Sequence, residues 1–160
     1  MALVDKLEGA RNGLAMSFAY MNLVGEEMGM EKAIALSGKA DGVMGDAQGR
    51  ILREQQGGKD VDINAATTMA LDAIKDGFGI ISEVIESSPE RMVVRCSRCP
   101  VYEAAESVGI DTGTIETLCR TGSLKFMDAM VKQFNPKLSY RLRKFRSGPD
   151  DCCEEEIVLG

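Results

Sequence analysis

Twice in its C-terminal half the chain carries the pattern of a β-hairpin, and that repetition restricts the fold more than any other feature. Ile80 to Ser87 is rich in branched residues, Ser88-Pro89-Glu90 is a turn signal, and Met92 to Cys96 returns as a second strand. Leu138 to Phe145 then alternates, Ser147-Gly148-Pro149-Asp150-Asp151 turns the chain, and Cys152 to Leu159 forms the last strand. The arms of this second hairpin are opposite in charge. Lys137, Arg141, Arg143, Lys144 and Arg146 lie on one, Asp150, Asp151, Glu154, Glu155 and Glu156 on the other, which favours their pairing and suits a solvated, charged sheet edge.

Helical periodicity fills the remainder. Leu7, Ala10, Leu14, Phe18 and Met21 recur at three- and four-residue steps, so Leu3 to Leu23 is a helix with one apolar face. A second helix is expected from Glu26 to Arg53, carrying Met30, Ile34, Met44 and Ile51. Gly38, Gly42, Gly45 and Gly49 within it each cost about 1 kcal/mol against alanine, so either a close helix contact or cavity wall compensates, or the helix breaks near Gly38 to Gly42. Gln55-Gln-Gly-Gly-Lys59 reads as a linker. Asp62 caps a third helix containing Ile63, Ala66, Ala70, Ala73 and Ile74, which Gly77 and Gly79 stop.

Between the hairpins a short helix runs from Val101 to Val108 and ends at Gly109. Asp111 or Thr112 caps a longer one holding Ile115, Leu118, Cys119, Phe126, Met130 and Val131, closed by Asn135-Pro136. The order of helices, hairpin, helices, hairpin predicts an α+β domain whose antiparallel sheet of two hairpins is covered by helices on one face. Residues 1–160 are expected to form a single domain, with 1–78 as a helical half and 79–160 as hairpin, helices and hairpin. No glycine-rich phosphate loop follows a strand, so nucleotide binding is unsupported.

The chemistry begins at Val94-Arg-Cys96-Ser-Arg-Cys99-Pro100, where two thiols stand between a strand and the first turn of a helix. Pro100 suits the first helical position and makes Cys99 the N-cap, facing unpaired backbone N–H groups. Arg95 and Arg98 are expected to add positive charge, and all three effects favour a thiolate. The plain alternative is a pair of buried structural cysteines. The chain has five cysteines, an odd count, and no histidine. Every Ser-His or Cys-His nucleophile and every His-ligated metal site is thereby excluded, and any metal must be held by sulfur and oxygen. With 19 basic against 25 acidic residues the net charge is -6, which argues against nucleic acid or an anionic membrane as partner. A charged N-terminus and the lack of a long apolar run place the protein in the cytoplasm, where thiols stay reduced.

In the last strand Cys153, Glu155, Ile157 and Leu159 share one face, and Cys152 points the other way. Glu155 is placed at the sheet edge, the alternative being a buried carboxylate that needs a partner. Cys96, Cys99, Cys119 and Cys153 converge if both hairpins belong to one sheet and the long helix lies across it. Four thiolates suit tetrahedral zinc or an iron–sulfur cluster.

The segment Arg95-Cys-Ser-Arg-Cys-Pro100, the helix bearing Cys119, and the ending Phe134-Asn-Pro136 with Gly148-Pro-Asp-Asp-Cys-Cys-Glu-Glu-Glu-Ile157 resemble the L-2-amino-thiazoline-4-carboxylic acid hydrolase family over about the last 80 residues. That family is similar to vinyl-reductase-type domains, which share a fold with a Golgi tethering subunit and bind small, often hydrophobic ligands. The resemblance implies such a ligand, a homodimer, and zinc held, as in phenol-sensing members, by a helix cysteine, a glutamate and two hairpin cysteines. Cys119 and Cys153 match two of these positions. Tyr140-Arg-Leu-Arg-Lys-Phe145 supplies neither the glutamate nor the first hairpin cysteine, so Cys96 and Cys99 would have to substitute.

The first functional expectation is therefore a small-molecule-binding domain whose cysteine-ligated metal pins the terminal hairpin around an apolar pocket. Its ten methionines would suit an adaptable lining or an ordinary core. The alternative is a hydrolase that opens a cyclic C=N substrate such as an aminothiazoline carboxylate, with Cys99 or a metal-bound water as nucleophile and Glu155 moving protons. A dithiol redox protein ranks third, since no βαβ unit surrounds the cysteine pair.

Overall fold

The computed structural model describes residues 2–160. Helices α1 (Leu3–Met28) and α2 (Met30–Gln55) meet at Gly29, whose φ of 93° is open to glycine and strained for other residues. Helix α2 runs without the break considered for Gly38 to Gly42. Its glycines instead admit α6 (Leu124–Phe134) and the turn before it. A β-carbon on Gly38 would run into the carbonyl of Thr121, one on Gly45 into that of Phe126, and one on Gly49 would lie 2.6 Å from the carbonyl oxygen of Met130. Backbone-to-backbone approach of two helices therefore offsets the propensity cost of these residues. Gly42 differs, with open space where its side chain would be.

Helix α3 (Ile63–Phe78) starts at Asp62, whose carboxylate accepts the Ala65 N–H at 2.9 Å, and stops at the left-handed Gly79. Strands β1 (Ser82–Ser87) and β2 (Arg91–Cys96) form the first hairpin, and α4 (Pro100–Ser107) follows directly. Asp111 caps α5 (Thr112–Leu118) by accepting the Thr114 N–H at 3.1 Å. The long helix expected after it is interrupted by a π-turn at Cys119–Ser123 before α6 resumes. Strands β3 (Leu138–Lys144) and β4 (Cys153–Leu159) complete the chain.

Both hairpins belong to one antiparallel sheet in the order β1-β2-β4-β3. This topology corrects the terminal strand. Because β2 pairs with β4, β4 is internal and the edges are β1 and β3, so Glu155 is not an edge residue. The inner face carries Met92, Tyr140 and Ile157 against Ile74 of α3 and Met130, Val131 and Phe134 of α6. A second apolar cluster joins α1, α2, α4 and α5 through Phe18, Ile34, Tyr102, Ile115 and Leu118. The outer face is charged, with Arg95 paired to Glu154 at 3.4 Å, Arg91 to Glu86 at 2.9 Å, and Arg143 to Glu86. Such exposed pairs are each worth about 0–1 kcal/mol and fix register more than they stabilise. No helix among the described residues is long and apolar enough to cross a membrane.

Candidate active site

The β2–α4 junction builds the site. Cys99 has extended backbone (φ -135°) and precedes Pro100, so it is the N-cap of α4 as its sequence implies. Its sulfur makes no fully formed capping hydrogen bond, yet it faces the Val101 and Tyr102 amides. The Cys96 thiol donates to the carbonyl oxygen of Arg98 at 3.3 Å and lies beside Cys99, on which it has the largest influence. The neighbouring Cys96, aided by the two amides and opposed by burial, holds the Cys99 thiol below its ordinary range. Through the same proximity, and through its own burial, the Cys96 thiol is pushed far up. Cys99 is thus the more readily ionised thiol of the pair and Cys96 the one that keeps its proton.

The cations expected to help are turned away. Arg98 is gripped by both carboxylate oxygens of Glu103 at 2.9 and 3.0 Å, and Arg95 belongs to the outer face of the sheet. Charge at this junction comes from Arg146, which is only 2% exposed. Its guanidinium donates to the carbonyls of Cys96 (3.1 Å) and Ser97 (2.9 Å), and lies 4.9 Å from the centre of the Tyr102 ring. It thus clamps the Cys96–Cys99 loop on one side and α4 on the other. A hydrogen bond from it also reaches Cys153.

Cys99 opens on a cavity of about 270 Å³ where the two apolar clusters meet. Leu14, Ile74, Phe78, Val101, Phe126 and Met127 provide most of the wall, and Asp41, Cys96, Tyr140 and Glu155 provide polar groups. Glu155 projects inward from β4 and accepts a hydrogen bond from the Tyr140 hydroxyl. The buried-carboxylate alternative is the one realised, and the partner is this tyrosine. Burial pushes the Glu155 carboxyl up, which the Tyr140 hydrogen bond and Arg146 only partly offset; burial also pushes the Tyr140 phenol well above its ordinary value. Asp41 is raised by burial too.

Cys153 lies directly across from Cys96 in the β2–β4 ladder, and Cys119 begins the π-turn near both Cys99 and Cys153. Burial raises the thiols of Cys119 and Cys153. The four expected ligands are thus gathered at one end of the sheet. Among the described residues no group of three or more His, Cys, Asp or Glu side chains is positioned to hold one ion.

Sequence reasoning passed over Tyr140, Asp41 and Arg146. Tyr140 was legible, since alternation from Leu138 sets it on the inner face of β3, where it pairs with Ile157. Arg146 carried no signal, being one of several basic residues around a turn. Cys153 is buried whereas Cys152 is half-buried ahead of the strand, as the alternation implied. Cys153→Ser is expected to lower stability by about 1–3 kcal/mol, because a hydroxyl replaces a packed thiol, and Cys152→Ser to stay within about 0.5 kcal/mol. Urea titrations of the two variants compare them directly, and the opposite ranking would move the inward face by one residue.

The family model described as L-2-amino-thiazoline-4-carboxylic acid hydrolase matches residues 10–155, a wider span than the C-terminal segments that carry the resemblance in sequence. Among solved structures, the chain is similar to trafficking protein particle complex subunit 3 from Naegleria fowleri, covalently bound to palmitic acid. The TM-score is 0.60 at 15% identity, over 93% of this chain and 95% of that one. A likeness at that identity concerns the fold alone. Among curated proteins nothing matches.

Proposed function

This chain belongs to the L-2-amino-thiazoline-4-carboxylic acid hydrolase family, and from that membership we propose that it hydrolyses a small cyclic compound with a C=N bond, using Cys99 as nucleophile. The observation that carries this reading is the position of Cys99 at the start of α4, opening on an apolar cavity that the Glu155–Tyr140 pair also lines. A thiolate needs a base or a stabilising environment, and the Cys96 thiol with the α4 amides supplies the latter where histidine is lacking.

For a ring carbon bonded to sulfur, to an amino group and doubly to nitrogen, the steps balance as follows. The Cys99 thiolate adds to the carbon while the proton of Glu155 passes to the ring nitrogen. The carbon–sulfur bond of the ring then breaks, the ring sulfur leaves as thiolate, and an amidinium remains on Cys99. Water adds to that carbon as the Glu155 carboxylate takes one of its protons. Expulsion of the Cys99 thiolate releases a urea, whose extra proton passes to the product thiolate. A carboxyl raised by burial suits both proton transfers, because burial favours the protonated form that the first transfer spends and the second restores.

Cys99 is expected to be the fastest of the five cysteines to alkylate at neutral pH in metal-free, folded protein, and bound substrate should shield it. Mass mapping after brief iodoacetamide treatment tests this. Slow labelling of Cys99 in the folded apo protein would sink the nucleophile.

A second reading rests on the gathering of Cys96, Cys99, Cys119 and Cys153, which would hold zinc or an iron–sulfur cluster after a rearrangement that closes them on one ion. Metal analysis of protein purified with and without oxygen separates the two readings. One equivalent of metal, with these four cysteines silent until chelator is added, supports the metal. A homodimer is also proposed, because Met16, Tyr20 and Leu23 of α1 and Val43 of α2 are exposed. Light scattering at micromolar concentration should give twice the chain mass of about 17 kDa, and the monomer mass refutes it.

A further inference from the structure

Resting on the hydrolase reading, we infer that the site takes a cyclic amidine or isothiourea that carries an apolar substituent, and disfavours one bearing a carboxylate. Three observations converge on this class. The first is the charge of the wall. Asp41, Glu155 and Cys99 face the cavity, and its lining holds no lysine or arginine. Arg98 is paired with Glu103 and Arg95 with Glu154, and Arg146, outside the lining, donates to the carbonyls of Cys96 and Ser97. A ligand carboxylate would thus be desolvated against carboxyl groups and a thiol with no cation in the lining to meet it, whereas the N–H groups of an amidine find acceptors.

The second is the position of Asp41. Its carboxylate makes no hydrogen bond or ion pair among the described residues, and burial alone accounts for its raised pKa. It stands in a niche that the π-turn leaves open at Gly122, where a β-carbon would come within 2.5 Å of Asp41 Oδ2. π-Turns inside helices recur at functional sites, and here the irregularity gives an acceptor room beside the cavity. Asp41 is a recognition group in this scheme, and Cys99 and Glu155 do the chemistry.

The third is the shape of the apolar part. Met44, Ile74, Phe78 and Phe126 line the cavity and also line a groove of about 520 Å³ between α2 and α3, continued by Leu52 and Met69. An apolar substituent on the ring extends into that groove from the point where a carboxylate would otherwise sit.

The test is a comparison of two probes by calorimetry on the full chain with Cys99→Ala, which binds without reacting: 2-amino-2-thiazoline with a butyl group at position 4, and the same ring with a carboxylate there. The butyl compound is expected to bind at least about tenfold more tightly, and Asp41→Asn to weaken it about tenfold while changing the carboxylate by less than about threefold. Should Asp41→Asn fail to fold, the comparison of probes on the Asp41-containing chain decides alone. Equal or tighter binding of the carboxylate overturns the inference, as does the failure of both compounds to bind or an unchanged ratio in folded Asp41→Asn. The hydrolase reading fails on a different result, slow alkylation of Cys99, so the two can fall separately.

Discussion

Arg146→Ala is expected to lower stability by about 2–4 kcal/mol, since it orphans two carbonyls and removes the cation from the Tyr102 ring. The loss is bounded because the guanidinium is itself poorly satisfied: its Nε is buried without a partner. A second effect separates electrostatics from packing. Arg146 is the buried positive charge beside Cys96, Cys99 and Cys153, and it favours their charged forms. Removing it should raise the Cys99 pKa, so the rate of alkylation against pH shifts to higher pH. Arg146→Lys should keep most of the pH profile while losing stability, because a lysine carries the charge without the forked donors. If Arg146→Ala folds and titrates Cys99 as before, the clamp has no electrostatic part.

The other large effect lies along α2. Gly45→Ala is expected to destabilise by about 1–3 kcal/mol, because its β-carbon would meet the backbone of Phe126, which cannot swing aside as a side chain would. Gly42→Ala should have the opposite sign, a gain of about 0.4–1 kcal/mol, since nothing lies within 4 Å of the added carbon and the unfolded chain loses freedom. Thermal melts of the two single variants read the contrast with identical chemistry three residues apart. Equal shifts would mean that α2 and α6 are not in backbone contact.

What was legible in this sequence is whatever depends on neighbours in the chain. The caps at Asp62 and Asp111, the stop at Gly79 and the N-cap position of Cys99 before Pro100 involve groups a few residues apart, and each stands where local geometry puts it. Alternation in β4 likewise sets Cys153 inward. Glycine spacing along α2 left a compensating contact and a break both open, because the stripe is local and the backbone that fills it is some eighty residues away.

The site divides along the same line. Cys96 and Cys99 are brought together by their spacing, so a close pair of thiols at the start of α4 could be read from residues alone. Pairing of β2 with β4 was decided by the tertiary fold, which turned β4 from an edge into an internal strand and Glu155 from a solvated charge into a raised carboxyl held by Tyr140. Only the fold, too, could select among like-charged residues. Arg95 and Arg98 are nearest Cys99 in sequence, yet each has a carboxylate partner elsewhere, while Arg146, some fifty residues on, fills the space behind the thiols. Charge acts through distance and burial, and neither is a property of sequence separation.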